Sequence, residues 1–258
     1  MNVGLLTDTH YGSISDHPTD TLDQLIQYFR DNNVTTVVHL GDVGAEQGKK
    51  PYETLDYINT IFNKLDEFET YLLRGNHDVR DFDPQTLESN VDGLDHCVTG
   101  SVRLTGNSDT EMLLVETATL INGHPAGYIP DDTIPDIISF LTEQQTTQKY
   151  ILSHYPLQYT RFYQERPFFN VQPEYAFPIN KPLLNQKITE SLTDITVEDT
   201  EFICGHLHPP EEYNTKTKPY NFPLTIKEAI TGFQKDDSGQ LEFYENTTLD
   251  PSDFIYTL

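Results

Sequence analysis

The chain has 258 residues, 36% of them hydrophobic, with 15 Tyr and 14 Phe, enough material to bury one sizeable core. Its 16 Lys and Arg stand against 41 Asp and Glu, a formal net charge of −25. That balance argues against stable binding to nucleic acid or anionic lipid, and the aromatic and β-branched content argues against a disordered acidic chain.

So many like charges repel one another in a compact fold, and concentrated salt screens that repulsion over a few ångströms. The composition resembles that of proteins from salt-accumulating halophiles, so a high-salt cell is the expected setting. Residues 2–7 run straight into a strand without a charged leader, and no stretch is apolar enough to span a bilayer. A soluble, cytoplasmic protein is expected. Cys97 and Cys204 lack the spacing of a disulfide framework or zinc knuckle and are expected to be free, buried thiols.

Apolar β-branched runs at residues 3–6, 34–40 and 71–73, each bounded by Gly, Asp or Asn, predict buried strands. Between them, Leu22, Leu25, Ile26 and Phe29 mark one helical face, and Leu55, Ile58, Ile61, Phe62 and Leu65 another. Strand alternating with helix predicts a parallel α/β sheet. Beyond about residue 95 the pattern turns strand-rich, at 97–104 and 112–119, followed by a helix near 134–141. Further strands are predicted at 150–153, 201–204 and 240–244, the last after turn residues 236–239, which makes a second, mixed sheet plausible. Residues 155–182, rich in proline and aromatics and without a clean period, read as an ordered insertion in a single domain spanning 1–258.

Chemistry-bearing residues fall where these strands end. Asp8-Thr9-His10 follows the first, and side chains two apart on an extended segment point the same way, so the pair can grip one cation. The second ends in Gly41-Asp42, where glycine permits a tight turn and the carboxylate projects beyond the sheet. The third ends in Gly75-Asn76-His77-Asp78, which puts an amide oxygen, an imidazole and a carboxylate on one loop. Ser153-His154 closes a fourth strand, and Gly205-His206-Leu207-His208 follows a fifth. Each histidine taken singly is more often a satisfied polar residue than a ligand, but five successive strand ends make coincidence a poor explanation. Imidazole, carboxylate and amide oxygen without thiolate suit Mn²⁺, Fe or Zn²⁺ better than an all-oxygen Ca²⁺ cage. Among the other histidines, His39 reads as a buried strand residue, and His17, His96 and His124 have no motif around them.

In this order, from Asp8 to His208, the series resembles the motifs of the calcineurin-like metallophosphoesterases. The resemblance implies a four-layer α/β sandwich, two mixed β-sheets flanked by helices, with a dinuclear site at one edge. Asp8, His10 and His208 would hold the first metal, Asn76, His154 and His206 the second, and Asp42 would bridge both. Mn²⁺ is the first choice of metal, with Fe, Zn²⁺ or Ni²⁺ as alternatives. The reaction implied is hydrolysis of a phosphodiester or phosphomonoester by in-line attack of a hydroxide held between the ions. His77 would stabilise the transition state or protonate the leaving oxygen, with Asp78 orienting its ring.

Departures from relatives narrow the branch. Asp42 leads into Val43-Gly44-Ala45-Glu46, without the arginine that grips phosphate in the Ser/Thr protein phosphatases, and Asp78 stands where those enzymes have glutamate. Prokaryotic-type phosphodiesterases and phosphatases match better, which makes a small phosphate ester or nucleotide the expected substrate. The Asp8-Thr9-His10-Tyr11-Gly12 opening also resembles DNA double-strand-break repair nucleases, but the acidic surface and only 50 residues after His208 oppose that reading. A third alternative is a fold that has lost activity and serves as a scaffold, although the full ligand series opposes decay. In the insertion, Tyr159 and Phe162 could stack a base or sugar and Arg161 or Arg166 could grip phosphate, or the segment could simply pack as a lid.

Overall fold

A computed structural model gives the structure of the protein and describes residues 1–11, 19–44, 50–106, 110–143, 148–157, 178–191, 197–198, 200–206, 226–235, 241–246 and 255–257. Strands β1 (Asn2–Leu6), β2 (Thr36–His39), β3 (Glu69–Leu72) and β4 (His96–Cys97) lie in parallel in one sheet, with β14 (Ile255–Thr257) antiparallel beside β1. The crossover helices are α1 (Thr19–Asp31) and α2 (Pro51–Lys64). The second helix starts on Pro51, whose missing N–H costs nothing in the first turn, and on Glu53, whose carboxylate accepts the Lys50 N–H. Two short helices, α3 (Asn76–Asp81) and α4 (Pro84–Asn90), lead from β3 to β4, the latter capped by Asp83 accepting the Thr86 N–H at 2.7 Å.

The second sheet runs β5 (Ser101–Thr105), β6 (Thr110–Val115), β9 (Gln148–Ser153), β11 (Thr200–Cys204), β12 (Ile226–Lys235) and β10 (Val197–Glu198), with β13 (Leu241–Asn246) also paired to β12. Its strands β6, β9 and β11 are parallel, and β5 and β12 flank them antiparallel, so the sheet is mixed. A hairpin of β7 (Ala118–Ile121) and β8 (His124–Gly127) turns through Asn122 and Gly123, both with positive φ. Helices α5 (Ile134–Thr142) and α6 (Lys181–Ser191) complete the described elements.

Period-2 alternation sorts the strand side chains into three cores. Val3, Leu5, Val38 and Leu73 meet Met112, Leu114, Leu152 and Ile203 between the two sheets. Leu6, Val37 and Leu72 face the other way, onto Leu22, Ile26, Phe29, Ile58, Ile61 and Phe62 of the helices. On the far side Leu113, Val115, Ile151 and Phe202 pack against Ile137 and Phe140 of α5 and Leu184 and Ile188 of α6. Helix, sheet, sheet and helix therefore make four layers, as expected.

Some boundaries differ from expectation. Residues 97–104 form two strands in different sheets, because the chain leaves the first sheet through Gly100, φ 68°, and enters the second at Ser101. Residues 112–119 likewise belong to β6 and β7. Strands β12 and β14 and helices α3, α4 and α6 were not predicted; the helices are short or only weakly amphipathic, and the strands owe their place to their partners. Of residues 155–182, Tyr155 and Leu157 are buried in the body of the fold and Lys181 and Pro182 open α6, whereas 158–177 lie outside the described residues. Turn residues 236–239 also lie outside them.

Candidate metal centre

The carboxyl ends of β1, β2, β3, β9 and β11 open on one edge of the sandwich, the place where parallel strands present their loops. The first two loops continue the ladder past the strands: Leu40 N–H donates to Leu6 O, Asp8 N–H to Gly41 O, His10 N–H to Asp42 O and Tyr11 N–H to Val43 O, at 2.7 to 3.0 Å.

Within this frame the backbone is not extended at the key residues. Asp8 (φ 49°), His10 (φ 41°), Asp42 (φ 55°) and His206 (φ 69°) all adopt left-handed geometry. The alignment of Asp8 with His10 thus arises from two left-handed residues and not from the strand pleat, which corrects the extended-segment expectation. Such geometry costs about 1 kcal/mol or more per non-glycine residue and concentrates at functional sites. Two glycines let the loops close together. A side chain on Gly75 would strike the Asp42 carboxylate and backbone, and one on Gly205 would strike Thr7 and Asp8.

Asp42 is the centre of the arrangement. Its Oδ2 lies 3.8 Å from His10 Nε2, 3.9 Å from His77 Nε2 and 3.5 Å from His154 Nε2. Two groups of donors, His10–Asp42–His77 and Asp42–His154–His206, each have one atom per residue within 4.8 Å of the others and could each hold a metal ion. The two groups share Asp42. Asp8 Oδ1 stands 3.8 Å from His10 Nε2, and Asn76 Oδ1 stands 3.1 Å from His154 Nε2.

The proton inventory favours a cation there. His154 Nδ1 is 2.8 Å from the Leu40 carbonyl, so that nitrogen carries the hydrogen, and burial pushes the imidazole well below its ordinary range, leaving the ring neutral. The Nε2 lone pair then faces Asp42 Oδ2 and Asn76 Oδ1. His154 Nε2 thus stands 3.1 Å from Asn76 Oδ1 and 3.5 Å from Asp42 Oδ2, a convergence of electron-pair donors that suits a bound cation. The carboxylates are held in place from behind: Asp8 accepts from the Thr7 hydroxyl and the His206 N–H, and Asp42 Oδ1 accepts the His77 N–H at 2.9 Å.

Asp78 ties the loops together. Its buried carboxylate accepts the N–H groups of Asp42 (2.7 Å), Gly75 (2.8 Å) and Val43 (3.1 Å). Burial pushes its carboxyl up to about 6, against the opposing pull of those donors and of Arg74. These bonds brace the loop after β2 against the loop after β3. His77, on the first turn of α3, packs edge-on against His10 with ring centroids 4.9 Å apart, and its side chain is 23% exposed.

Tyr155 is the site residue that sequence reasoning did not single out. Its ring lies 4.1 Å from the His206 ring and 5.3 Å from that of His154, and it is almost wholly buried. The available signal was its position directly after a strand-end histidine. His39 is buried as expected, and burial pushes its imidazole down to about 3. Cys97 and Cys204 are buried thiols outside any disulfide, with the Cys97 thiol pushed up to about 12. His208, Tyr159, Arg161, Phe162 and Arg166 lie outside the described residues. Among the described residues, no helix is long and apolar enough to cross a membrane.

Comparison with known proteins agrees with this architecture. A dimetal phosphatase from Danio rerio is similar over 94% of this chain and 86% of that one, at 14% identity and a TM-score of 0.56, which places both in one fold. A purple acid phosphatase from yellow lupin is similar over 81% of this chain and 38% of that one, at 16% identity and a TM-score of 0.44. No curated protein sequence matches the chain. A family model described as calcineurin-like phosphoesterase matches residues 1–224. With strand-end loops, four layers and matched family model in agreement, the chain belongs to the calcineurin-like phosphoesterase family.

Proposed function

We propose that the protein is a metal-dependent phosphoester hydrolase acting on a small phosphodiester or phosphomonoester, with two divalent ions at the edge of the sandwich. The observation that carries this reading is the sharing of Asp42 between the two donor groups. In the assignment we favour, Asp8, His10 and His208 would hold one ion, Asn76, His154 and His206 the other, and Asp42 would serve both. The donor set suits Mn²⁺ first. When bound, the ions would supply a nucleophile at neutral pH and neutralise phosphate oxygens.

The chain's own groups do the rest. Asp8 and Asp42, fixed by backbone and hydroxyl donors, set the charge of the site. His77, whose Nε2 is 3.9 Å from Asp42 Oδ2 and whose side chain is 23% exposed, would give a proton to the leaving oxygen. Asp78 holds the His77 loop against the Asp42 loop. Tyr159, Arg161, Phe162 and Arg166, which follow His154 closely in the sequence, are the proposed substrate contacts. A net charge of −25 favours a small ester over a nucleic acid as substrate, and it favours concentrated salt as the working medium.

The test is hydrolysis of bis-p-nitrophenyl phosphate and p-nitrophenyl phosphate with added Mn²⁺, in low and high salt, by the wild type and by Asp42→Ala. Metal-dependent turnover abolished by the substitution is the expected result, and the ratio of the two esters ranks diester against monoester. A folded, metal-loaded protein silent toward both would point to narrow specificity or to a scaffold, and turnover of single-stranded or nicked DNA above that of the small esters would favour the nuclease reading.

A further inference from the structure

Beneath the donor groups lies a buried polar relay that the reaction itself does not use. His39 ends β2, three residues before Asp42, and is 1% exposed. The Gly41 N–H donates to its Nδ1 at 3.1 Å, so that nitrogen bears no hydrogen and the ring's single hydrogen sits on Nε2. Nε2 is 3.2 Å from the Thr9 hydroxyl, itself 1% exposed, and that hydroxyl donates to the Val43 carbonyl at 2.7 Å. Every hydrogen is thereby placed: Gly41 to His39, His39 to Thr9, Thr9 to Val43.

The two ends of this relay bracket the centre. Thr9 lies between Asp8 and His10, and Gly41 and Val43 lie on either side of Asp42. Asp8, His10 and Asp42 all adopt left-handed geometry, which persists only where surrounding structure over-determines it. The backbone ladder between the two loops uses the carbonyls of Gly41, Asp42 and Val43, whereas the Gly41 N–H donates to His39 and the Thr9 hydroxyl to the Val43 carbonyl. We infer that His39 is a positioning residue of the metal centre, acting through the Thr9 hydroxyl to hold Asp8 and His10 at a set distance from Asp42.

The inference rests on the two-ion reading above, and the experiment separates the two. Mn²⁺ binding is measured calorimetrically on the full chain, together with the electron paramagnetic resonance spectrum of the loaded protein, for wild type, Thr9→Val, Thr9→Ser and His39→Asn. Valine keeps the shape of threonine without the hydroxyl, serine keeps the hydroxyl, and asparagine accepts the Gly41 N–H without reaching Thr9. Removing such supporting partners weakens metal binding roughly 10- to 100-fold. Thr9→Val and His39→Asn are expected to show that loss and a diminished spin-coupled signal, Thr9→Ser to stay within about 3-fold of wild type, and the Thr9→Val/His39→Asn pair to lose no more than either single change. Wild-type affinity in Thr9→Val, an equal loss in Thr9→Ser, or additive losses in the pair would overturn the inference. A wild type that binds no Mn²⁺, Fe, Zn²⁺ or Ni²⁺ would overturn the two-ion reading, and the inference with it. Urea unfolding of the metal-free variants serves as the control: Thr9→Ser and Thr9→Val should unfold at similar concentrations, so a loss of metal affinity confined to Thr9→Val reports the missing hydroxyl.

Discussion

Around Asp42 the loops of the first sheet hold one another, whereas the histidines of the second sheet are held by the first. Asp78 bridges the loops after β2 and β3 with three backbone hydrogen bonds, and His39 with Thr9 bridges those after β1 and β2. On the other side His154 is oriented by the Leu40 carbonyl, and His206 by Asp8, both belonging to the first sheet, with Tyr155 stacked alongside. The first half of the centre is braced internally, and the second half takes its geometry from docking. Damage to the first half should therefore spread across the whole site, and damage to the second should stay local.

The largest effect is expected at the shared residue. Asp42→Ala should remove both ions and lower kcat/KM by about 10³-fold or more, read by metal analysis and ester hydrolysis. One ion retained at full occupancy would mean that the halves do not depend on Asp42 equally. Next comes His77→Ala, expected to lose about 10²- to 10⁴-fold in kcat while two ions per chain remain. Loss of an ion from that variant would move His77 from proton donor to ligand, as its place in the first donor group permits.

Asp78→Ala tests the brace itself. Three buried N–H groups lose their acceptor, which should cost about 3 kcal/mol or more in urea unfolding and weaken both ions together. A weakening confined to one ion would break the picture of an internally braced first half. Tyr155→Leu should act only on the second half. An aromatic pair contributes about 0.5 to 1.5 kcal/mol, so one ion should bind roughly tenfold more weakly or less while the other is unchanged. The smallest effect concerns the whole surface: with a net charge of −25, the urea midpoint of the wild type should rise when concentrated KCl screens the repulsion, and a midpoint independent of salt would remove the high-salt reading.

Much of this was legible in the residues. Strands at the start of the chain declare themselves because both of their faces are buried, and helices α1 and α2 because only one face is. The edge that carries the candidate site was legible because parallel strands bring their carboxyl ends together, which sets the loops of Asp8, Asp42, Asn76, His154 and His206 side by side. The break at Gly100 was not legible, since a change of sheet leaves the alternation of side chains intact. Strand β14 pairs with β1 from the far end of the sequence, and no local pattern encodes a partner about 250 residues away.

Sequence by itself determined the strand–helix alternation of the first sheet through periodicity and the family through the order of its strand-end motifs, and it offered side chains whose lone pairs could bind a metal. Only the tertiary structure decided how those lone pairs meet. The left-handed turns at Asp8, His10, Asp42 and His206, the three N–H groups on Asp78, the ring of Tyr155 against His206 and the tautomer of His39 all depend on atoms brought together from strands far apart in the chain. Their hydrogen bonds are short-ranged and directional, so they exist only once packing has set the loops a few ångströms apart.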